Sequence, residues 1–276
     1  MRHTVLRGLA ALAAAALAAA AAAQDISEDV LGRARTAQVV FVGEAHDNPD
    51  HHARQAALVR AVTPRALVFE MISAEDAPVV NRMRGEGAGA GDIAAALDWS
   101  ASGWPDFALY HQVIAAAGDA PVFGAQAARP ALSAAVREGA AAAFGAGAAR
   151  YRLDRALDAA EQAAREARQM EAHCNALPAE MLPGMVAAQR LRDALLAQQV
   201  EAALELPGPG PVVVITGNGH ADREWGAPSM LPSDVDVFVY GQFEEAATER
   251  AEAFDAYAIT PAVEREDPCA GLTGSG

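Results

Sequence analysis

Two short G-x-x-H motifs carry the side chains of this chain that are best suited to chemistry. Gly43–His46 and Gly217–His220 each follow an apolar, strand-like run, and Glu70 stands near the end of another such run. In open α/β sheets, side chains just past the carboxyl ends of strands line the crevice in which ligands bind. If these strands are neighbours, the carboxylates of Glu44 and Glu70 converge with the two histidines.

The four residues Glu44, His46, Glu70 and His220 allow two kinds of chemistry. Histidine and carboxylate are usual ligands of a divalent metal, and they serve equally as general acid and base without one. Their spacing is not the helical H-E-x-x-H of a zinc protease, so it does not identify a metal. We therefore expect a site at the strand ends, and hydrolysis with or without a divalent metal is one function for it.

Two further histidines, His51 and His52, open a helix predicted over residues 50–62 with Asp50 as its N-cap. A protonated imidazole is disfavoured near a helix N-terminus. We therefore expect neutral imidazoles here that can bind a metal or a ligand. Solvated surface is the alternative, and we expect it for one of the two.

The stretch 173–197 predicts a pocket wall. The helix after Pro183 places four side chains on one face, Met185, Gln189, Arg192 and Leu196. Such a mixture suits pocket lining better than a core, and Arg192 could hold a carboxylate bidentately. The alternative is an ion pair of Arg192 between helices with Asp193 in solvent.

Aromatic side chains are concentrated in residues 98–112, although they make up only 5% of the chain. The stretch contains Trp99, Trp104, Phe107 and Tyr110. Such a group suits either a flat hydrophobic ligand or a corner of the core.

Six apolar or β-branched runs, separated by helix-length segments, set the fold class. They span residues 38–44, 65–71, 121–126, 211–217, 235–241 and 257–263. Because most of them are apolar throughout, they predict an α/β fold: a mostly parallel central sheet with helices on both faces. Two long helical stretches without a strand between them predict a helical insertion at about 130–208.

The N-terminal residues predict export. Arg2 and Arg7 precede an Ala/Leu run that ends in Ala21–Ala23. This pattern is typical of a cleaved signal peptide, here residues 1–23, and leaves residues 24–276 as a single domain. No lipobox cysteine stands at the cleavage point, so the prediction is a periplasmic or otherwise exported protein without a lipid anchor.

The net charge, the two cysteines and the absence of several motifs restrict the classes of function that the chain can have. The formal net charge of −15 argues against a nucleic-acid partner. In an exported protein the two cysteines, Cys174 and Cys269, predict one disulfide, with two free buried thiols as the alternative. The chain has no G-x-S-x-G, Walker A or G-x-G-x-x-G motif, which excludes serine-hydrolase, nucleotide-phosphate and dinucleotide sites of those types.

The motif-bearing segments together resemble the ChaN family of haem-binding proteins in the Tiki superfamily. They are VVFVGEAHDNPDHHARQ, ALVFEM, SGWPDFALY, HCNALPAEMLPGMVAAQRLRD and VVVITGNGHADREWGAPSMLP. The resemblance covers nearly all of the chain after residue 23. It implies an exported protein of haem or iron acquisition that works with haem-uptake components in the envelope, while the number of subunits, including a homodimer, stays open.

The resemblance also implies that haem lies in the crevice at the strand ends, held by tyrosine with help from histidine. The candidates for the iron ligand are Tyr110, Tyr151, His51, His52 and His173. His46 is expected to belong to the site without ligating the iron, Met185 and Gln189 to line it, and Arg192 or Arg129 to hold a propionate. The rival interpretation is a hydrolase like the erythromycin esterases or Tiki metalloproteases, distant members of the superfamily.

Overall fold

One all-parallel sheet of six strands organises the described part of the molecule. The computed structural model describes residues 26–244, 250–267 and 269–270, so the predicted signal peptide lies outside the described residues. The strands are β1 (Val39–Glu44), β2 (Ala66–Phe69), β3 (Val122–Gly124), β4 (Val212–Gly217), β5 (Val237–Glu244) and β6 (Ala256–Thr260). Their order is β3-β2-β4-β1-β5-β6. The predicted α/β class and all six strand positions are confirmed.

Ten α-helices stand among the described residues, most of them between successive strands. They are α1 (Glu28–Thr36), α2 (Pro49–Val62), α3 (Ala77–Gly85), α4 (Ala90–Ala96), α5 (Phe107–Ala116), α6 (Arg129–Glu138), α7 (Ala140–Phe144), α8 (Ala159–Ala172), α9 (Leu182–Leu204) and α10 (Asn218–Ala221). Helices α6 to α9 separate β3 from β4. No described helix combines the length and the apolarity that crossing a membrane requires.

Alternate strand residues point into two apolar layers. Val40 and Val42 pack with helices α1 to α5 on one face of the sheet, and Val39 and Phe41 pack with α6, α7 and α9 on the other. Because both faces are covered, the strands are buried almost throughout. This arrangement explains their uninterrupted apolar sequence.

Helix α2 begins one residue earlier than the sequence predicted, and its N-cap lies two residues earlier. Asn48, not Asp50, is its N-cap: the Asn48 side chain accepts a hydrogen bond from the backbone N–H of Asp50, and Pro49 occupies the first turn. Pro49 loses nothing there, because a first-turn N–H has no partner within the helix. The loop between β1 and α2, which carries His46, is therefore only four residues long.

Candidate functional site

A cavity of about 360 Å³ lies at the carboxyl ends of β1, β2 and β4. We call it the main cavity. Glu44 and His46 reach it from β1, Glu70 from β2, and residues 217–220 from β4. Helices α8 and α9 supply further lining side chains, Arg165, Arg168, Gln169, Val186, Gln189 and Asp193, and Trp225 adds an indole. Because β4 lies between β1 and β2 in the sheet, both G-x-x-H motifs and Glu70 meet here.

Close packing explains the glycines that open the two motifs. A Cβ atom at Gly43 would lie 2.1 Å from Asn218 Oδ1, and one at Gly217 would lie 2.9 Å from His46 Nε2. Separations under about 3 Å are not tolerated without movement of a neighbour. Both glycines therefore let the ends of β1 and β4 approach each other with His46 between them.

Glu44 orients the imidazole of His46. Its buried carboxylate accepts hydrogen bonds from Gln55 Nε2 at 2.6 Å and from His46 Nδ1 at 2.8 Å. A carboxylate can only accept, so Nδ1 carries a proton. No described residue hydrogen-bonds to Nε2, and 31% of the His46 side chain is exposed. The free nitrogen of this imidazole therefore faces the cavity.

The charges around His46 favour its protonated form. Burial alone lowers the pKa of His46, but the hydrogen bond with Glu44 and the negative charge of Glu70 outweigh burial and raise the pKa to about 8. The ring also packs edge-on against Trp104, with 4.9 Å between ring centroids. His46 is thus a held imidazole that exchanges a proton near physiological pH.

Glu70 is a buried carboxylate held in its charged form. Its Oε2 atom accepts from Thr216 Oγ1 at 2.6 Å and from the backbone N–H of Gly217 at 2.9 Å. Burial raises its pKa, but the charges of His220 and His46 together with these hydrogen bonds outweigh it, so the pKa falls to about 2. Glu70 is therefore a permanent negative charge between the two histidines.

The second histidine forms a dyad with a residue that the sequence analysis left in solvent. His220 Nδ1 lies 2.6 Å from Asp193 Oδ1, and His220 Nε2 lies 3.6 Å from Glu70 Oε1. Burial lowers the pKa of His220, but the two carboxylates outweigh it and raise the pKa; burial raises the pKa of Asp193. Both shifts favour retention of a proton by this pair.

Helix α8 forms the outer wall of the main cavity, and none of its residues is buried. Arg165 donates to Glu161 and to the backbone oxygen of Trp225, and Arg168 lies 3.9 Å from Asp222. The arginines on this wall are therefore already paired.

A disulfide holds the far end of α8. Cys174, just past the helix, is bonded to Cys269 in the C-terminal segment, which confirms the predicted pairing. Arg265 fixes the same segment to the sheet, since its guanidinium donates to Asp47 at 2.6 Å and to Glu244 at 2.7 Å.

Three of the predicted haem contacts, His51, His52 and Tyr110, are fully buried and do not line the main cavity. His51 Nδ1 accepts from the backbone N–H of Ala45, and its Nε2 lies 2.8 Å from Thr260 Oγ1. Burial lowers the pKa of His51 to about 4, which keeps it neutral. The expectation of a solvated histidine at this helix start is wrong, because both rings face the interior.

His52 and Tyr110 share one backbone acceptor. His52 Nε2 lies 2.8 Å and Tyr110 Oη 3.4 Å from the carbonyl oxygen of His46, and the two rings meet edge-on at 4.7 Å. These two contacts hold the loop that carries His46. His52 and Tyr110 therefore affect the site indirectly, by fixing the position of His46.

The remaining predicted residues are divided among several places. Gln189 lines the main cavity, whereas Met185 is not among its lining residues and Leu196 lies in the core. His173 Nδ1 donates to the backbone oxygen of Gln169 at the end of α8. Arg192 donates to Gln189 Oε1 at 3.2 Å and lines a neighbouring cavity.

Tyr151 lies at another cavity, and its hydroxyl is 2.8 Å from Glu201 Oε2. Over the described residues, no group of three or more His, Cys, Asp or Glu side chains is arranged to hold a metal ion. The arrangement therefore does not support the divalent metal that Glu44, His46, Glu70 and His220 were expected to bind.

Several residues of the site were missed from the sequence. Asp193 stands four residues after Gln189, so it lies on the same face of α9, and extending that stripe would have found it. Arg165, Arg168 and Trp225 left no such signal, because only the tertiary fold brings them to the strand ends.

One solved structure supports this architecture, and two others are weaker matches. ChaN of Campylobacter jejuni, in a structure described as showing cofacial haem binding, has a TM-score of 0.58 and 17% sequence identity, over 79% of this chain and 86% of that one. The type III effector HopBA1 (TM-score 0.45, 14% identity, 84% and 91% coverage) and an erythromycin esterase mutant in its open conformation (0.45, 13%, 78% and 72%) are more distant. No curated protein sequence matches.

The family comparison is more specific. The family described as "Haem-binding uptake, Tiki superfamily, ChaN" matches residues 30–231. That range holds β1 to β4, helices α2 to α10 and every described lining residue of the main cavity. The chain therefore belongs to the ChaN family of haem-binding uptake proteins.

Proposed function

We propose that this protein binds haem in the main cavity and that His46 Nε2 is the iron ligand. The observation that carries the proposal is the imidazole of His46, whose Nδ1 is held by Glu44 while Nε2 faces the cavity. Ligation of iron would require Nε2 to lose its proton to solvent, and a pKa of about 8 allows this loss near physiological pH. A carboxylate that fixes one ring nitrogen orients the other toward a metal. This proposal reverses the expectation that His46 belongs to the site without ligating the iron. The five ligands expected from sequence do not line the main cavity: His51, His52 and Tyr110 are buried, and Tyr151 and His173 lie elsewhere.

Two of the other lining side chains, Val186 and Trp225, suit haem, whereas most of the remaining lining is polar or charged. Haem requires an apolar surface, an axial ligand and cations for its propionates. Val186 and the indole of Trp225 supply apolar surface, while the lining arginines Arg165 and Arg168 already face carboxylates. When bound, haem would supply iron chemistry. The protein's own contribution would be the imidazole of His46, which Glu44 holds in a fixed orientation.

Titration of the purified protein with haemin tests the proposal. We expect saturable binding at one site, seen as a shifted and intensified Soret band at micromolar protein. Glu44→Gln should weaken binding, because the amide can turn its N–H₂ group toward His46 and disturb the ring orientation, whereas Glu201→Gln, far from the main cavity, should not. Absence of a saturable spectral change in the wild-type protein would refute haem binding.

Family membership and the disulfide support an exported role in haem uptake, which we propose as the setting of this binding. Structural disulfides form and persist in oxidising compartments, and Cys174–Cys269 is one. N-terminal sequencing of protein from the periplasmic fraction should find a start near Gln24. Recovery only from the cytoplasm with residues 1–23 attached would contradict export.

A hydrolase is the second candidate, favoured by the Asp193–His220 pair beside Glu70. The 2.6 Å contact of His220 with Asp193 and its 3.6 Å separation from Glu70 resemble the geometry by which acid–base residues are oriented. If the site hydrolyses esters, His220→Ala should slow cleavage of p-nitrophenyl acetate by ~10²–10⁴, and His111→Ala, on α5, should not. Equal rates for both variants would contradict a catalytic role of His220.

A further inference from the structure

The two edges of the sheet differ in how they are covered. Strand β3 forms one edge, where the side chain of Asn81 on α3 donates to the carbonyl oxygen of Val122 and accepts from its N–H, both at 2.8 Å. Strand β6 forms the other edge. Among the described residues, no group outside the sheet bonds to the main chain of Ala256–Thr260. An uncovered edge of this kind is a template for pairing with another strand.

The backbone of β6 presents three alternate residues to a neighbouring strand. The N–H of Asp255 donates to the carbonyl oxygen of Val239 on β5 at 3.0 Å, so the backbone groups of Asp255 point toward β5. In a strand, the backbone groups of successive residues point to opposite sides in the plane of the sheet. The N–H and C=O groups of Ala256, Ala258 and Thr260 therefore point outward.

The side chains of β6 also suit a partner strand. Tyr257 and Ile259 are 46% and 47% exposed, and because they are two residues apart they lie on one face of the sheet. Asp255 is the only charged residue in the stretch 255–261, and it forms an ion pair with Arg223. Edge strands usually carry charges that prevent pairing. Here the exposed side chains are apolar and the one charge is neutralised.

We propose that β6 pairs with the β6 strand of a second copy of this chain, antiparallel, with a two-fold axis at Ala258. In this register Ala258 faces its own copy and Ala256 faces Thr260 of the partner subunit, so outward backbone groups meet outward backbone groups. Tyr257 then lies beside Ile259 of the partner subunit, an aromatic–aliphatic pair that stabilises antiparallel strands. A two-fold contact requires a surface that is complementary to itself. This self-complementarity favours a second copy over another protein, and it does not depend on haem binding.

Sedimentation equilibrium of the purified protein without haemin tests the proposal. We expect a reversible dimer with a dissociation constant on the order of 10–100 µM, because five paired residues form a small interface. Ile259→Lys should weaken dimerisation by about 10-fold, since it removes both cross-strand pairs. Met181→Lys is the matched control at another exposed apolar side chain and should not weaken it. A dimer that Ile259→Lys leaves intact would overturn the proposal. A wild-type protein that stays monomeric well above that range would also overturn it and leave the edge for a strand of another protein.

Cross-linking tests the register. Two residues that face each other in a hydrogen-bonded antiparallel pair have Cα atoms about 5.5 Å apart, which is within the reach of a disulfide. Ala258→Cys should therefore give a covalent dimer on a non-reducing gel after mild oxidation. Ala256→Cys is the matched control: it faces Thr260 of the partner subunit, so this variant should run as a monomer. Absence of the covalent dimer in Ala258→Cys, or equal cross-linking of both variants, would overturn the pairing.

Discussion

Removing the disulfide gives the most quantitative prediction. Cys174 and Cys269 are 95 residues apart in sequence. Cross-linking a loop of that length removes chain entropy from the unfolded state that is equivalent to about 4–5 kcal/mol at 25 °C. We therefore expect the double variant Cys174→Ser, Cys269→Ser to lose roughly 2–5 kcal/mol of unfolding free energy, the range measured for native disulfides.

The structure indicates where the loss appears first. Helix α8 has no buried residue, so few apolar contacts hold it once the bond between its end and the C-terminal segment is gone. Regions with little buried apolar surface open at low free energy. Amide hydrogen exchange should therefore accelerate in α8 in the double variant, while exchange in β1 and β4, whose residues are fully buried, should keep its rank as the slowest.

Urea unfolding followed by circular dichroism measures the change. Adding dithiothreitol to the wild-type protein should lower its stability to that of the double variant, and adding it to the double variant should change nothing. Equal unfolding free energies of the oxidised and reduced wild-type protein would refute the reasoning, because the cross-link would then not constrain the unfolded chain.

Two further predictions concern packing and charge. Gly217→Ala should lower haem affinity by roughly 10-fold through overpacking against His46 Nε2, whereas Gly219→Ala, whose added Cβ would stand 3.9 Å from its nearest neighbour, should not; equal losses would contradict the packing argument. The hydrogen bond from Arg265 lowers the pKa of Glu244 below its usual 4.5, so this pair stabilises the fold above that pH and loses its effect as pH falls through the lowered pKa. Arg265→Gln should therefore cost about 0.5–1 kcal/mol at pH 7 and less at pH 3 in urea unfolding; a cost independent of pH would contradict it.

The strand ends of the site were predictable because their signal is local. An apolar run that stops at Gly43 or Gly217 and continues into charged residues marks the carboxyl end of a buried strand, and parallel strands place those ends at one edge. The strand order, which puts β4 between β1 and β2, is not local. From the sequence, the two motifs could therefore be expected to converge only on the condition that their strands are neighbours in the sheet.

The roles of His51 and Asp193 show what local signals miss. The sequence places His51 at a helix start. Its hydrogen-bond partner at Nε2 is Thr260, which lies on β6, 209 residues later. The sequence analysis expected Asp193 in solvent beside Arg192. In the structure Asp193 is buried and hydrogen-bonded to His220, which follows β4. In both cases a partner that is distant in sequence determines whether the polar side chain lies on the surface, supports the site from the interior or lines the site.

The most direct test of haem binding through His46 is the optical and electron paramagnetic resonance spectrum of the ferric haem complex in three proteins. Wild-type protein and His111→Ala should give the same Soret maximum and g-values. His46→Ala should give a different spectrum and weaker binding, and added imidazole should restore the wild-type spectrum by replacing the lost ring. If His46→Ala keeps the wild-type spectrum and affinity without imidazole, His46 is not the iron ligand and the account of the main cavity is wrong.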